Sequence, residues 1–186
     1  MVRALNVAYE MGLTEKMQVV VPNLTLGMAR QVGPTIMEGV IGGSPWVWNV
    51  PFELNYPRGK EFVEAFSNRY EMRPSTAAAS AYSIIYQYKD AVERAGTTNT
   101  ASLIRALEGH RYTFLKDEQY WRELDHQNVQ TVYVVKVKPR NTIIADEYSS
   151  DYFSIIDSMP GDQAAQTREE WEERREGLVI EELQIV

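Results

Sequence analysis

The stretch Pro57-Arg-Gly-Lys-Glu-Phe-Val-Glu-Ala-Phe-Ser-Asn-Arg-Tyr-Glu-Met-Arg-Pro-Ser-Thr-Ala-Ala-Ala-Ser-Ala-Tyr-Ser-Ile-Ile-Tyr-Gln-Tyr-Lys-Asp-Ala-Val-Glu-Arg-Ala-Gly96 reads as two helices with one stop between them. In the first, Phe62, Val63, Phe66 and Tyr70 recur at helical spacing and make one apolar face. Pro74 breaks the pattern, because the residue before a proline is pushed out of the helical region. Ser75 is then a good N-cap for the second helix. There Ala78, Ala81, Tyr82, Ile85, Tyr88 and Val92 mark one face, and Ile84, Tyr86 and Ala91 widen it. A helix so broadly apolar is expected to be largely buried. Gly96 ends it as a left-handed cap. The small run Ala77 to Ala81 lets this helix start approach another backbone, or a ligand, closely.

Around this pair the composition is that of an ordinary globular protein. Of 186 residues, 44% are hydrophobic and 24% charged, enough for one domain or parts of two. The net charge of −7 argues against a nucleic-acid surface. With no cysteine there is neither a disulfide framework nor thiolate chemistry. No apolar run approaches the ~20 residues needed to span a bilayer. The start, Met1-Val-Arg-Ala-Leu-Asn-Val-Ala-Tyr-Glu-Met11, reads as an amphipathic helix with Val2, Leu5 and Tyr9 inward, not as a signal peptide.

Upstream of the helix pair, Gly12-Leu13 caps the first helix, and the β-branched run Met17 to Val21 predicts a buried, interior parallel strand. Helix, glycine turn, then strand is the step of a doubly wound α/β sheet. A helix from Leu24 to Gln31, a turn at Thr35 to Glu38, a glycine-interrupted strand from Gly39 to Trp48 and a loop from Asn49 to Tyr56 complete this part. Downstream, Thr97 to Thr100 offer caps for a helix to Leu107, and His110 to Phe114 suggest a strand. Lys116 to Asn128 looks polar and irregular, and Val129 to Val137 is the clearest strand of the chain. Pro139-Arg140-Asn141 reads as a turn, and Asp146 to Met159 has no clear pattern. Thr167 and Glu170 fit a capping box, opening a charged helix to about Glu176, with a strand or tail from Leu178 to Val186.

In order, these features resemble the second half of a type I periplasmic binding protein, in the branched-chain amino acid and amide group of ABC-importer receptors. The resemblance is carried by Ala8-Tyr9-Glu10-Met11-Gly12-Leu13 before a strand and by Met37-Glu38-Gly39-Val40 before the glycine-rich strand. Phe62 to Tyr70, Ala81-Tyr82, Leu103 to Gly109 and, most specifically, Asp125-His126-Gln127 continue it. It implies an α/β fold of two doubly wound, Rossmann-like lobes, here incomplete, with a solute held between them and no cofactor. Residues 1–50 would belong to the second lobe and 51–115 to the helical part of the first. Residues 116–145 would supply a crossover and the last strand of the second lobe, and 146–186 a C-terminal extension. The implied partners are a small-molecule solute, a membrane permease, and either a first lobe or a second copy of the chain. The implied location of the whole receptor is periplasmic or extracellular.

Asn23 follows a strand and precedes a helix, at the strand end where open α/β sheets bind ligands; it is either a solute contact or a helix cap. Amino-acid binders of the family carry an acidic residue near this place, so the resemblance implies a solute without a paired ammonium group. Trp46 and Trp48, two apart on a strand, would share a face and either pack inside or stack on the solute. Ala77 and Ala78 match the helix start that faces the family's cleft. Asp125, His126 and Gln127 would fix the interlobe connection. The chain's two histidines have no metal-binding spacing, and no phosphate loop or nucleophile elbow occurs, so neither a metal site nor a catalytic residue is assigned. Two other functions fit such a fold: a cytoplasmic amide-type ligand sensor, and an enzyme on a doubly wound sheet.

Overall fold

The computed structural model describes residues 2–175, an α/β arrangement of two sheets and flanking helices. The larger sheet has the order β1(Val20–Val21), β2(Ile41–Ser44), β6(Val132–Val137), β7(Phe153–Met159). Strands β1 and β2 are parallel, while β6 runs antiparallel to both β2 and β7. A smaller antiparallel sheet joins β3(Arg111–Tyr112), β4(Gln119–Trp121) and β5(Asn128–Val129).

Helix α1(Val2–Glu10) precedes β1 and buries Leu5, though Tyr9 stays exposed. Between β1 and β2 lie α2(Leu26–Val32) and α3(Pro34–Met37). Proline at the start of α3 is compatible with a first helical turn, where its missing N–H costs nothing, so the expected turn is helical. After β2 come α4(Val50–Glu53), in place of the expected loop, then α5(Pro57–Tyr70), α6(Thr76–Ala95) and α7(Thr100–Leu107). The long helices begin and end where their punctuation puts them. Ser75 accepts from the Ala78 amide, Gly96 takes the left-handed conformation, and Asn99 caps α7. Beyond β6, α8(Arg140–Ala145) replaces the expected turn. The unpatterned stretch ends in β7, followed by α9(Gly161–Ala164) and the capping-box helix α10(Arg168–Glu173). The expectation for Leu178 to Val186 lies outside the described residues.

The core lies on the larger sheet, where Leu24, Met37, Tyr133, Val135, Val137 and Ile143 are almost fully buried. Close approach is built into β2: a Cβ on Gly42 would meet the Val21 carbonyl at 2.4 Å and the Leu24 Cβ at 2.5 Å. Glycine there lets the exit of β1 fold down onto β2.

Two larger expectations also fail. Met17 to Val21 is not an interior strand. The Met17 amide still bonds back to Leu13 in a helical turn, only Val20 and Val21 pair, and β1 is the edge of the sheet with Val20 62% exposed. Nor is α6 largely buried. Ala79, Gln87 and Ala91 are inside, but Ile84, Ile85, Tyr86 and Tyr88 are exposed, Ile85 by 67%. The breadth of the apolar surface is as read; no described element lies over it.

Candidate functional site

The carboxyl ends of β1 and β2 meet the start of α6. The chain leaves β1 through Pro22-Asn23-Leu24 and is held against β2 by the Leu24 amide, which donates to the Gly43 carbonyl (2.9 Å). At the end of β2, the Ser44 hydroxyl donates to the Trp46 carbonyl (3.0 Å), as does the Thr76 hydroxyl (2.6 Å). The two hydroxyls lie 3.1 Å apart. The first turn of a 20-residue helix is thereby fixed to the end of a sheet strand, which is where such sheets bind ligands.

The expected site residues divide around this junction. Asn23 is exposed, and the cap of α2 is Thr25, whose side chain accepts from the Met28 amide. The cap alternative for Asn23 is therefore excluded. Ala77 is exposed on the first turn of α6, and Ala78 is half-buried. Trp46 and Trp48 do not share a strand face: Pro45 has no N–H for the ladder, β2 stops at Ser44, and both indoles lie in the following turn. Trp46 is buried edge-on to Phe62 (6.0 Å). Trp48 instead donates from Nε1 to Asp151 Oδ1 (2.9 Å) and carries the Arg73 guanidinium over its ring at 4.3 Å.

That guanidinium is itself tied down. It pairs with Asp146 (2.9 Å) and lies 4.9 Å from the Tyr148 ring centroid, while the Arg73 amide donates to Ser150. Burial works to raise the Asp146 carboxyl, but bonds from the Ser150 amide and from Arg73 outweigh it and hold it below the usual carboxylate range. Lys138 pairs with Asp151 from the other side. This cluster joins the break before α6 to the segment between α8 and β7.

Asp125, His126 and Gln127 form the tip of the β4–β5 hairpin and are organised by one arginine. Asp125 accepts two bonds from Arg122 (2.9 and 2.6 Å), and the Gln127 side chain accepts a third (3.0 Å). The Arg122 bond holds the Asp125 carboxyl below its usual range. His126 turns the hairpin at φ 57° and bonds Glu108 past the end of α7 (2.9 Å). The trio fixes the hairpin tip, and the chain runs from it into β5 and then β6.

Sequence reasoning missed Lys116, in the stretch read as irregular. It is 2% exposed, and its Nζ donates to the Pro45 and Thr131 carbonyls, both at 2.7 Å, above the Tyr133 ring. Burial pulls its ammonium down to about 8, with Asp117 opposing. The only sequence signal was a lysine following Phe114-Leu115, two residues that are themselves buried. Tyr112, also missed, has its phenol pushed up to about 12 by burial, against a bond from Asn128 that lowers it.

Two concavities flank the exposed stripe of α6. A cleft of about 370 Å³ lies toward the small sheet, lined by Trp46, Ser80, Ile84, Tyr112, Lys116 and Trp121. An open groove of about 940 Å³ lies between α5 and α6, lined by Phe62, Phe66, Tyr70, Ala78 and Tyr82 among others. Trp46 and Ala78 thus face different concavities, and Asn23, Trp48 and Ala77 line neither. Among the described residues no group of three or more His, Asp or Glu could hold a metal ion, and no helix is long and apolar enough to cross a membrane.

A larger sheet with helices, a smaller sheet reached through short crossing segments, and a helix start docked at strand ends together define an α/β fold. The comparisons give the family. Residues 1–142 match the periplasmic binding protein family, and the chain belongs to it. No curated protein matches it. Among solved structures it is similar to a periplasmic binding protein of Burkholderia mallei (22% identity, TM-score 0.77, covering 91% of this chain and 43% of that one). It is also similar to an amino acid ABC transporter substrate-binding protein of Pseudomonas fluorescens (23%, 0.73, 86% and 41%). A third is an ABC transporter solute-binding protein of Rhodopseudomonas palustris in complex with 3,4-dihydroxybenzoic acid (21%, 0.67, 84% and 41%). The chain spans less than half the length of each.

Proposed function

We propose that this chain is the C-terminal half of a solute-binding receptor of an ABC importer, acting in the periplasm or outside the cell and without catalysis. The observation that carries this reading is the docking of the α6 start, through Thr76, onto the end of β2 beside the Asn23 loop. That junction offers a solute a polar strand end and a small-residue helix start. Residues 1–50 form the second lobe, 51–115 the helical part of the first, and 116–145 the returning crossover and strand. Residues 146–186 are an extension, from which β7 adds to the larger sheet. The solute is a small polar or aromatic molecule such as an amino acid, amide or carboxylate. Its contacts are the exposed Asn23 and Ala77, with Ala78 and the two indoles backing the junction behind them, while Asp125, His126 and Gln127 brace the hinge. A neutral Asn23 offers no charge to an ammonium group, and one similar protein is seen with an aromatic acid, so aromatic carboxylates are the first candidates.

The partner that completes the receptor is a first-lobe sheet lying on α5 and α6. Ile84, Ile85, Tyr88 and Tyr70 are exposed beside a wide groove, and covering each large apolar side chain is worth roughly 1.5–3 kcal/mol. The test is thermal denaturation of the chain with and without 3,4-dihydroxybenzoate, benzamide and leucine, alongside sedimentation. A saturable rise in Tm with one of the three supports the reading. Failure of all three, together with a monomer that binds no apolar-surface dye, overturns it.

A further inference from the structure

We propose that Lys116 is the pin of the hinge, a positioning residue whose ammonium ties together two of the segments by which the chain passes between its two sheets. The inference rests on the two-lobed reading above but not on the identity of the solute. One segment leaves β2 through Pro45 toward α5 and α6; the other leaves β5 through Thr131 into β6. They are far apart in sequence, and a single Nζ donates to a backbone carbonyl of each, at 2.7 Å in both cases. Lys116 itself sits between β3 and β4, on the small-sheet side. The next residue repeats the link, since Asp117 bonds the Thr131 hydroxyl.

The placement is difficult to explain as ordinary packing. A buried charge is retained only where hydrogen bonds compensate it, and a methionine of similar length would fill the same space. What a methionine cannot do is hold two carbonyls at a fixed separation. Lobe motion in such proteins is absorbed by a few residues in the crossing segments. A rigid link between two of them confines the motion to bending about that point and opposes their sliding apart. Asp117 beside the ammonium, Tyr133 beneath it from β6, and Tyr56, whose phenol is raised by burial and by Asp117, are the titratable groups around it. Because burial brings the Lys116 pKa to about 8, the link is charged at neutral pH and neutral by about pH 9. Opening the link returns the ammonium to water, where its pKa is ordinary, so the closed link is favoured more on the alkaline side.

Amide hydrogen exchange on the whole chain, followed peptide by peptide and corrected for intrinsic rates, tests this without any solute. Lys116→Met should speed exchange in residues 44–50 and 129–134 by about tenfold, the loss of ~1.4 kcal/mol of local closure, while residues 153–159 keep their protection. In the wild-type chain, raising the pH from 7 to 9 should instead increase protection of the same two segments by up to about tenfold, because opening returns Lys116 to its ordinary pKa. This comparison needs no variant and stands even if Lys116→Met fails to fold. Unchanged protection in both crossing segments, or an equal change over all peptides, overturns the pin. Either result is separable from solute binding, since a chain that binds none of the three trial solutes can still show the localised pattern.

Discussion

The larger sheet and the α5–α6 pair both carry wide apolar faces, yet one is closed and the other open. Around the sheet, Leu24, Met37 and Val135 are 0% exposed. On α6, Ile84 and Ile85 are 46% and 67% exposed although the helix is the longest described and is capped at both ends. The difference teaches that caps and periodicity set where a helix lies along the chain, whereas burial depends on a second surface that the local sequence does not name.

The comparison can be broken most severely at Leu24. Leu24→Ala should cost ~2–5 kcal/mol by leaving a cavity beneath β2, read as a lower denaturant midpoint at constant m-value. A cost below 1 kcal/mol would mean the sheet core is as loose as the helix face. Next comes the seam between the two regions, through pH. The folded Lys116 group is depressed from 10.5 to about 8, so the unfolded chain binds the extra proton between those values. Stability from this group is lost as pH falls through 8 and fully present above 10.5, amounting to at most ~3 kcal/mol. Tyr112 acts oppositely: its phenol is raised from 10.0 to about 12, so its contribution is lost as pH rises through that interval. Urea unfolding should therefore show stability rising from pH 7.5 to about pH 10 and then falling. A flat profile, or a rise that persists in Lys116→Met, would contradict the assignment. A smaller effect is expected at the head of α6, where Ser75→Ala removes the cap and costs about 1 kcal/mol; an unchanged melting curve would show that the Thr76 tether alone holds the helix start. The smallest belongs to the open face. Ile85→Ser should change the stability of the isolated chain by less than ~0.5 kcal/mol, and a loss above 1.5 kcal/mol would reveal that the stripe is covered in solution, by a second copy or otherwise.

What was legible in the sequence was local. Pro74, Ser75 and Gly96 carry their own backbone rules and bounded the long helices, and Thr167 with Glu170 announced its capping box. The strand Val132–Val137 showed in its alternation of buried and half-buried valines. The edge position of β1 was not legible, because a β-branched run looks the same in the middle of a sheet and at its side. The splitting of Trp46 from Trp48 depends on Pro45 ending the ladder, a signal present in the sequence and given too little weight. That Asn23 follows β1 was legible, but its exclusion as a cap needed the geometry of Thr25. Lys116 was hidden for a deeper reason: its carbonyl partners carry no side-chain signature, so no reading of residue types could have found them.

The pairing of β2 with β6 also orders events in time. Ile41 pairs with Lys136, so about ninety-five residues separate the partners. At a synthesis rate of ~5–20 residues per second, roughly 5–20 s pass between them. During that interval α5, α6 and α7 can form from local contacts alone, while β1 and β2 remain a two-stranded parallel fragment with an unpaired flank. Such a ribbon is marginal by itself, and its glycines Gly42 and Gly43 leave it little side-chain surface to gather with. Strands β1 and β2 are thus made well before Val132–Val137, the strand that closes their open flank.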